Sequence, residues 1–339
     1  MNVSNYVFNS TYTIPKDTEV TVNSIIYQGM TFILNTQIRY NLNVTFGGGS
    51  GTISDPYQVN CYRHLNNVRN YTGTGKYFVQ TADIVLETNW TPIPQFYGYY
   101  DGASYDILCM EIVATTGNYY YGFVGRLYGT IKNIEFGMAE IVTQGIVSSS
   151  NTSYYYMGVV CGYAASSAII NNCEVNYNSL INSKIRQSYI GGIAGCNFGD
   201  ITDCYADIIA DVSGYSGGIT GYNDGYINNC YTFSYYTYYW SISNGYLGGI
   251  AGVNAANGEI SNCTSLGIYI WDSTDDSDGI NPYVGGIIGY NNGTYSNCSC
   301  TNDVDEFNGI IKKFLGITTY NQEKYCFAVD NQKVGYDNT

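Results

Sequence analysis

Histidine is all but missing from this chain: His64 is the sole one in 339 residues. That excludes zinc motifs built on paired histidines, and no CxxC pair or Cys/His grouping offers a substitute. Positive charge is scarce too. Thirteen Lys and Arg stand against 27 Asp and Glu, for a net charge of −14 and no basic run. A phosphate backbone would be repelled, so nucleic acid is excluded as a partner. No apolar stretch approaches the roughly 20 residues of a bilayer-spanning helix. Amphipathic runs at helical period are absent from the repeats, which excludes a helical solenoid.

What is present is repetition. A phrase of two glycines, an aliphatic residue, a small residue and a third glycine begins at Gly191, Gly217, Gly248 and Gly285. Each copy runs on to an Asn-Cys or Asp-Cys. A degraded copy begins at Gly158, and an earlier relative at Tyr121. The closing glycines, Gly125, Gly162, Gly195, Gly221, Gly252 and Gly289, recur at unequal intervals. A fixed phrase at a variable period implies a constant structural edge joined by loops of free length. The units are rich in Gly, Asn, Thr, Tyr, Ile and Val, which is strand-and-turn chemistry. Short strands are expected at Ile169 to Val175, Ile201 to Tyr205, Tyr226 to Thr232, Glu259 to Thr264 and Thr294 to Ser299. The fold expected is an all-β, right-handed parallel β-helix.

Two columns follow if the coils stack. Cys173, Cys204, Cys230, Cys263 and Cys298, five of the eleven cysteines, occupy one repeat position. Equivalent residues of successive coils would lie about 4.8 Å apart, giving a structural column of small apolar thiols. Bridging of neighbours stays open, since disulfide Cα separations span about 4.4–6.8 Å. Two residues before the double glycine stand Tyr156, Tyr189, Tyr215, Tyr246 and Tyr283, with Tyr119 as the equivalent in the earlier copy. The 39 tyrosines also cluster at Tyr119 to Tyr121, Tyr154 to Tyr156 and Tyr235 to Tyr239, expected in loops. The aromatic column either stiffens the solenoid by stacking or presents a face to a sugar or a partner protein.

Residues 1–46 read as four or so short strands forming a cap or attachment segment: Tyr6 to Phe8, Glu19 to Ile26, Thr31 to Leu34 and Ile38 to Phe46. Residues 47–302 form the solenoid, beginning with a Gly-Ser linker. Residues 303–339 contain FNGIIKKFLGI, expected as a short amphipathic helix, then a strand over Tyr325 to Val329. Together they would cap the last coil or contact another subunit.

After the linker come Gly51, Asp55, Pro56 and Tyr57, a short helix, then Asp83-Ile84, Trp90-x-Pro92-Ile93 and Asp101-Gly102-x-x-Tyr105. This order, with the glycine phrases that follow, resembles the GLUG-motif proteins of bacterial surfaces over roughly Gly51 to Cys300. The resemblance implies a β-solenoid used in adhesion or surface display. Some relatives carry a metallopeptidase needing HExxH, which a single histidine cannot supply. The opening residues MNVSNYVFNSTYTIP lack the basic and apolar regions of a secretion signal, so either a mature piece or another export route is expected. Assembly into a virus particle is one such route. Nine Asn-x-Ser/Thr sequons occur, most of them expected by chance in a chain so rich in Asn, Ser and Thr, and they do not establish glycosylation.

Catalytic candidates are thin. Asp200, Asp203, Asp207 and Asp211 flank the third glycine phrase, where a polysaccharide-cleaving β-helix would need paired carboxylates. Asp272, Asp275, Asp276 and Asp278 look like a calcium loop, but an EF-hand register would put Gly285 where Glu is required. A half-buried helical place is expected for His64. The reading is a non-enzymatic extracellular or surface protein without a cofactor, with no membrane span. It would bind a glycan or protein, or associate with itself as an oligomer or filament. A polysaccharide lyase or hydrolase and a virion or fibre component are the alternatives.

Overall fold

The computed structural model describes residues 19–27, 30–41, 45–115, 119–143, 154–182, 188–212, 214–238, 245–272 and 283–300. The chain divides into two compact units, Met1–Gly47 and Gly48–Thr339.

In the first unit, Glu19–Tyr27 and Met30–Asn41 pair antiparallel, with a register shift between Val22 and Ser24. One strand, Met30–Asn41, runs through the break expected between Thr31 to Leu34 and Ile38 to Phe46, but the ladder is interrupted there: the paired register jumps from Ile33 to Ile38.

The second unit is a parallel β-helix. Its described strands form a six-stranded, a seven-stranded and a sixteen-stranded sheet, every pairing parallel. The coil around Gly191 shows the plan. Ser188–Gly191 lies in the six-stranded sheet and Ala194–Asn197 in the seven-stranded one. Asp200–Thr202 and Tyr205–Val212 both join the sixteen-stranded sheet. Crossovers between parallel strands of one sheet are right-handed in nearly all proteins.

Asp203 separates the last two strands and sits at φ 57°. Its counterparts Asn133, Asn172, Asn229, Asn262 and Asn297 all have φ between 50° and 55°. Asn and Asp tolerate the left-handed region better than other L-residues, so the residue before each cysteine is chosen by backbone geometry. A sheet that would otherwise run straight bends there.

The core is built by registered aliphatics. Ile131, Ile170, Ile201, Ile227 and Ile260 follow one another across five coils, all fully buried. Ile193, Ile219, Ile250 and Ile287 of the glycine phrase are buried beside them. The glycines serve close approach. A Cβ on Gly195 would lie 2.4 Å from the backbone nitrogen of Met157, so no side chain fits between the two sheets there.

Strands also run longer than expected. Ile169–Asn182 extends past Val175, and Tyr231–Tyr238 takes Tyr235 to Tyr238 into a strand instead of a loop. Tyr239, Trp240 and everything after Cys300 lie outside the described residues, so the helix and strand expected there do too.

Candidate functional site

The outward positions of the six-stranded sheet carry a continuous aromatic column. Tyr120, Tyr156, Tyr189, Tyr215 and Tyr246 stack in sequence, with ring centroids 5.0, 5.5, 5.0 and 5.6 Å apart. Interplanar angles are 7° to 20°. The backbone of Tyr283 follows Tyr246 in register. Each ring is half-buried, because its faces cover its neighbours while its edge reaches solvent.

Tyr119 is not a member. Tyr156 pairs with Tyr120, and Tyr119 packs edge-on against Tyr155 at 5.3 Å. The glycine phrase explains the slip. Gly122 and Gly125 are three residues apart where Gly158 and Gly162 are four apart, so counting back from the later glycine overshoots by one. Tyr121 instead turns inward beside Met157 and is buried.

A second aromatic row borders the first on the seven-stranded sheet. Tyr163 meets Tyr120 and Tyr156 edge-on at 6.0 and 6.5 Å, and Tyr222 meets Tyr189 at 5.4 Å. Phe198 bridges Tyr163 and Tyr222, and Tyr290 tilts against Tyr246 at 5.0 Å. Arg126 lies over the ring of Tyr120, 4.1 Å from its centroid. Burial raises the Tyr156 phenol to about 12, with Cys196 and neighbouring tyrosines adding to it. Burial, then Tyr154, Tyr215, Cys196 and Tyr156, pushes Tyr189 up as well. Tyr156 and Tyr189 are therefore neutral at ordinary pH.

The cysteine positions align on the sixteen-stranded sheet. The residues just after them pair in the order Glu174, Tyr205, Tyr231, Thr264 and Ser299. Cys173, Cys204, Cys230 and Cys263 are buried, Cys298 is half-buried, and all five are free thiols. Each Sγ approaches the carbonyl two residues earlier, from 3.1 Å at Cys263 to 3.5 Å at Cys173. Burial above all, then the adjacent thiol, lifts Cys204 and Cys230 well above the usual range. Cys300 takes part in a disulfide.

Of the acidic candidates, the side chains of Asp200, Asp203 and Asp207 are among the described residues. Asp203 spends both oxygens, accepting from Asn229 at 2.6 Å and Asn171 at 2.9 Å. Asp200 and Asp207 stand on the separate strands either side of it. Asp211 ends up further along the second strand, and its side chain is outside the described residues. Asp272 closes the strand Thr264–Asp272, while Asp275, Asp276 and Asp278 lie outside the described residues. Among the described residues, no group of three or more His, Cys, Asp or Glu is placed to hold a metal. His64 is buried in the helix Tyr62–Asn67, and desolvation with Arg63 beside it lowers its pKa.

One column had a signal that the sequence reading passed over. Two residues after the closing glycine stand Asn197, Asn223, Asn254 and Asn291, all buried. Each Nδ2 donates to the next Oδ1, at 2.9, 2.8 and 2.8 Å. Each amide also closes its own turn, as Asn197 does with Gly199.

Residues 187–213 match the family model of the GLUG motif, and they contain the coil described around Gly191. The chain carries a GLUG motif. A Gly-rich protein of Evansella cellulosilytica, provisionally named a membrane protein, is 34% identical over 113 residues. That match spans 30% of this chain and 13% of the relative. A crystal structure from Bacteroides ovatus, provisionally named an immunoglobulin A1 protease, superposes with a TM-score of 0.58. It covers 84% of this chain and 86% of its own, at 21% identity, so the likeness is one of fold. The short helix after Tyr57 and the buried Trp90, whose indole donates to the Phe123 carbonyl at 2.9 Å, begin the solenoid.

Proposed function

We propose that this chain is a non-enzymatic, surface- or particle-displayed repeat protein that acts in adhesion or assembly through its lateral aromatic face. The observation that carries the reading is the unbroken stack from Tyr120 to Tyr246 beside the Tyr163–Phe198–Tyr222 row. Packing alone would be served by aliphatic residues at these positions. Tyrosine combines a rigid apolar body with a polar edge, which suits contact surfaces. A row of identical weak contacts also gains by multivalency.

Support against catalysis comes from the dispersal of Asp200, Asp203 and Asp207 and from the lone histidine. Display outside the cell is favoured by the GLUG motif, with a virus particle as the other setting. Residues 1–46 would serve as a cap or attachment segment, and residues 303–339 as a cap or subunit contact.

The test compares the native chain with a Tyr189→Ala/Tyr215→Ala/Tyr246→Ala variant on a glycan array, in protein pull-downs and by sedimentation. Binding or self-association that depends on those rings supports the reading. Undiminished binding and unchanged assembly in a folded variant overturn it.

A further inference from the structure

The aromatic column has one period, one chemical group and no net charge, and a repeating ligand would match all three. Strands of one sheet stand about 4.8 Å apart, so each coil repeats its outward group at nearly that step. The rings keep this step, at 5.0 to 5.6 Å, across four successive pairs. The phenol hydroxyls of Tyr156, Tyr189 and Tyr215 make no hydrogen bond to described residues and are not enclosed by protein. The coils of Tyr156, Tyr189 and Tyr215 therefore each offer one phenol hydroxyl, with Tyr154 stacked on Tyr189 beside them.

A globular partner does not repeat its surface at that step. A linear polymer of one sugar does, and the extended β-1,4-linked glycans advance by closely this distance per residue. Their equatorial hydroxyls point sideways from a flat ribbon in which alternate sugars are flipped, so successive sugars meet successive phenols through alternating edges, each of which carries hydroxyls. Charge narrows the class further. With a net charge of −14 the chain repels polyuronates and sulfated glycans, which leaves the neutral hexose and N-acetylhexosamine polymers. Ring faces are occupied by neighbouring rings, so flat stacking of a sugar on a single tyrosine is not the mode. Edge contact and hydrogen bonding, small per coil and summed along the axis, are what the geometry allows.

We infer that the Tyr156–Tyr189–Tyr215–Tyr246 column binds a neutral, extended β-1,4-linked polysaccharide lying parallel to the solenoid axis, one sugar to a coil. The inference rests on the lateral-face reading and names its ligand class. A second copy of this chain, whose own coils repeat at the same step, is the competing occupant.

The experiment mixes the full chain with insoluble cellulose and with chitin, and in parallel with starch granules and insoluble pectate. Pelleting with at least one of the first two and neither of the others is expected. A Tyr189→Phe/Tyr215→Phe variant keeps the stack and removes two hydroxyls, so its affinity should fall about tenfold. Soluble cello- and chito-oligomers should bind more tightly with each added sugar until the column is filled. Failure to pellet with both β-1,4 polymers, equal pelleting with starch, or an unaltered Phe variant would overturn the inference. If the chain instead self-associates through these tyrosines, the glycan class falls while the lateral-face reading stands.

Discussion

Asn197 donates from Nδ2 to the Oδ1 of Asn223, 2.9 Å away, and both side chains are fully buried. Asn223 repeats the contact to Asn254 at 2.8 Å. Each amide joins the identical amide of the next coil to the turn that it closes in its own coil. Asn223→Ala would remove a partner from both neighbours and should cost about 2–4 kcal/mol. Urea unfolding measures it. A loss below that of an exposed Asn→Ala control, such as Asn257→Ala, would show that the column contributes little.

Two glycines separate steric need from chain flexibility. At Gly195 a Cβ would meet the Met157 nitrogen at 2.4 Å, whereas at Gly73 nothing lies within 4 Å. Gly195→Ala should destabilise by about 1–3 kcal/mol, since backbone must move to admit it. Gly73→Ala should be neutral or stabilise by up to about 1 kcal/mol, through the unfolded chain. Thermal midpoints of the two variants should therefore move apart.

Carboxylates crowd one outward row, where Asp106, Glu135 and Glu174 are opposite one another on adjacent strands. Burial, then Glu135, Asp83 and Glu174, raises the Asp106 carboxyl above its usual range. A carboxyl raised in the folded state favours folding below its unfolded value and loses that advantage as pH rises. Glu135→Gln should relieve the repulsion and stabilise by about 0.2–1 kcal/mol at neutral pH. The gain should shrink in high salt and at acid pH, which stability curves at two pH values would record.

Alkali should weaken the solenoid. Burial first of all raises Cys161, Cys196, Cys204 and Cys230, and burial raises Tyr121 and Tyr156 to about 12. The unfolded chain gives up these protons near the ordinary thiol and phenol values, about 8.5 and 10. Stability should accordingly hold to about pH 8 and fall steadily above it. A native chain whose midpoint is flat to pH 11 would contradict the buried, protonated side chains. In the same samples Cys298, half-buried, should label faster than the other four thiols of its column.

Much of this architecture could be read before any coordinates. The glycine phrase dictates where two sheets approach without side chains, and Asn-Cys marks a left-handed corner followed by an inward residue. Two features escaped for physical reasons. Three consecutive tyrosines at 119 to 121 offer three registers, and only the burial of Tyr121 beside Met157 selects Tyr120 for the column. The buried asparagines went unread, since the burial of a primary amide depends on partners, its own turn and the copy in the next coil, that only the stacked coils bring to it. Tyr235 to Tyr238, expected in a loop, continue the strand from Tyr231; their pairing to Thr264–Asp272 and Tyr205–Val212 supplies what their own sequence does not show.

The most direct test of the account is a sulfur anomalous map from crystals of the native chain. Registered coils predict Cys173, Cys204, Cys230, Cys263 and Cys298 as a single row of peaks, each about 5 Å from the next. Peaks scattered through the molecule, or separated by two or more strand spacings, would contradict it.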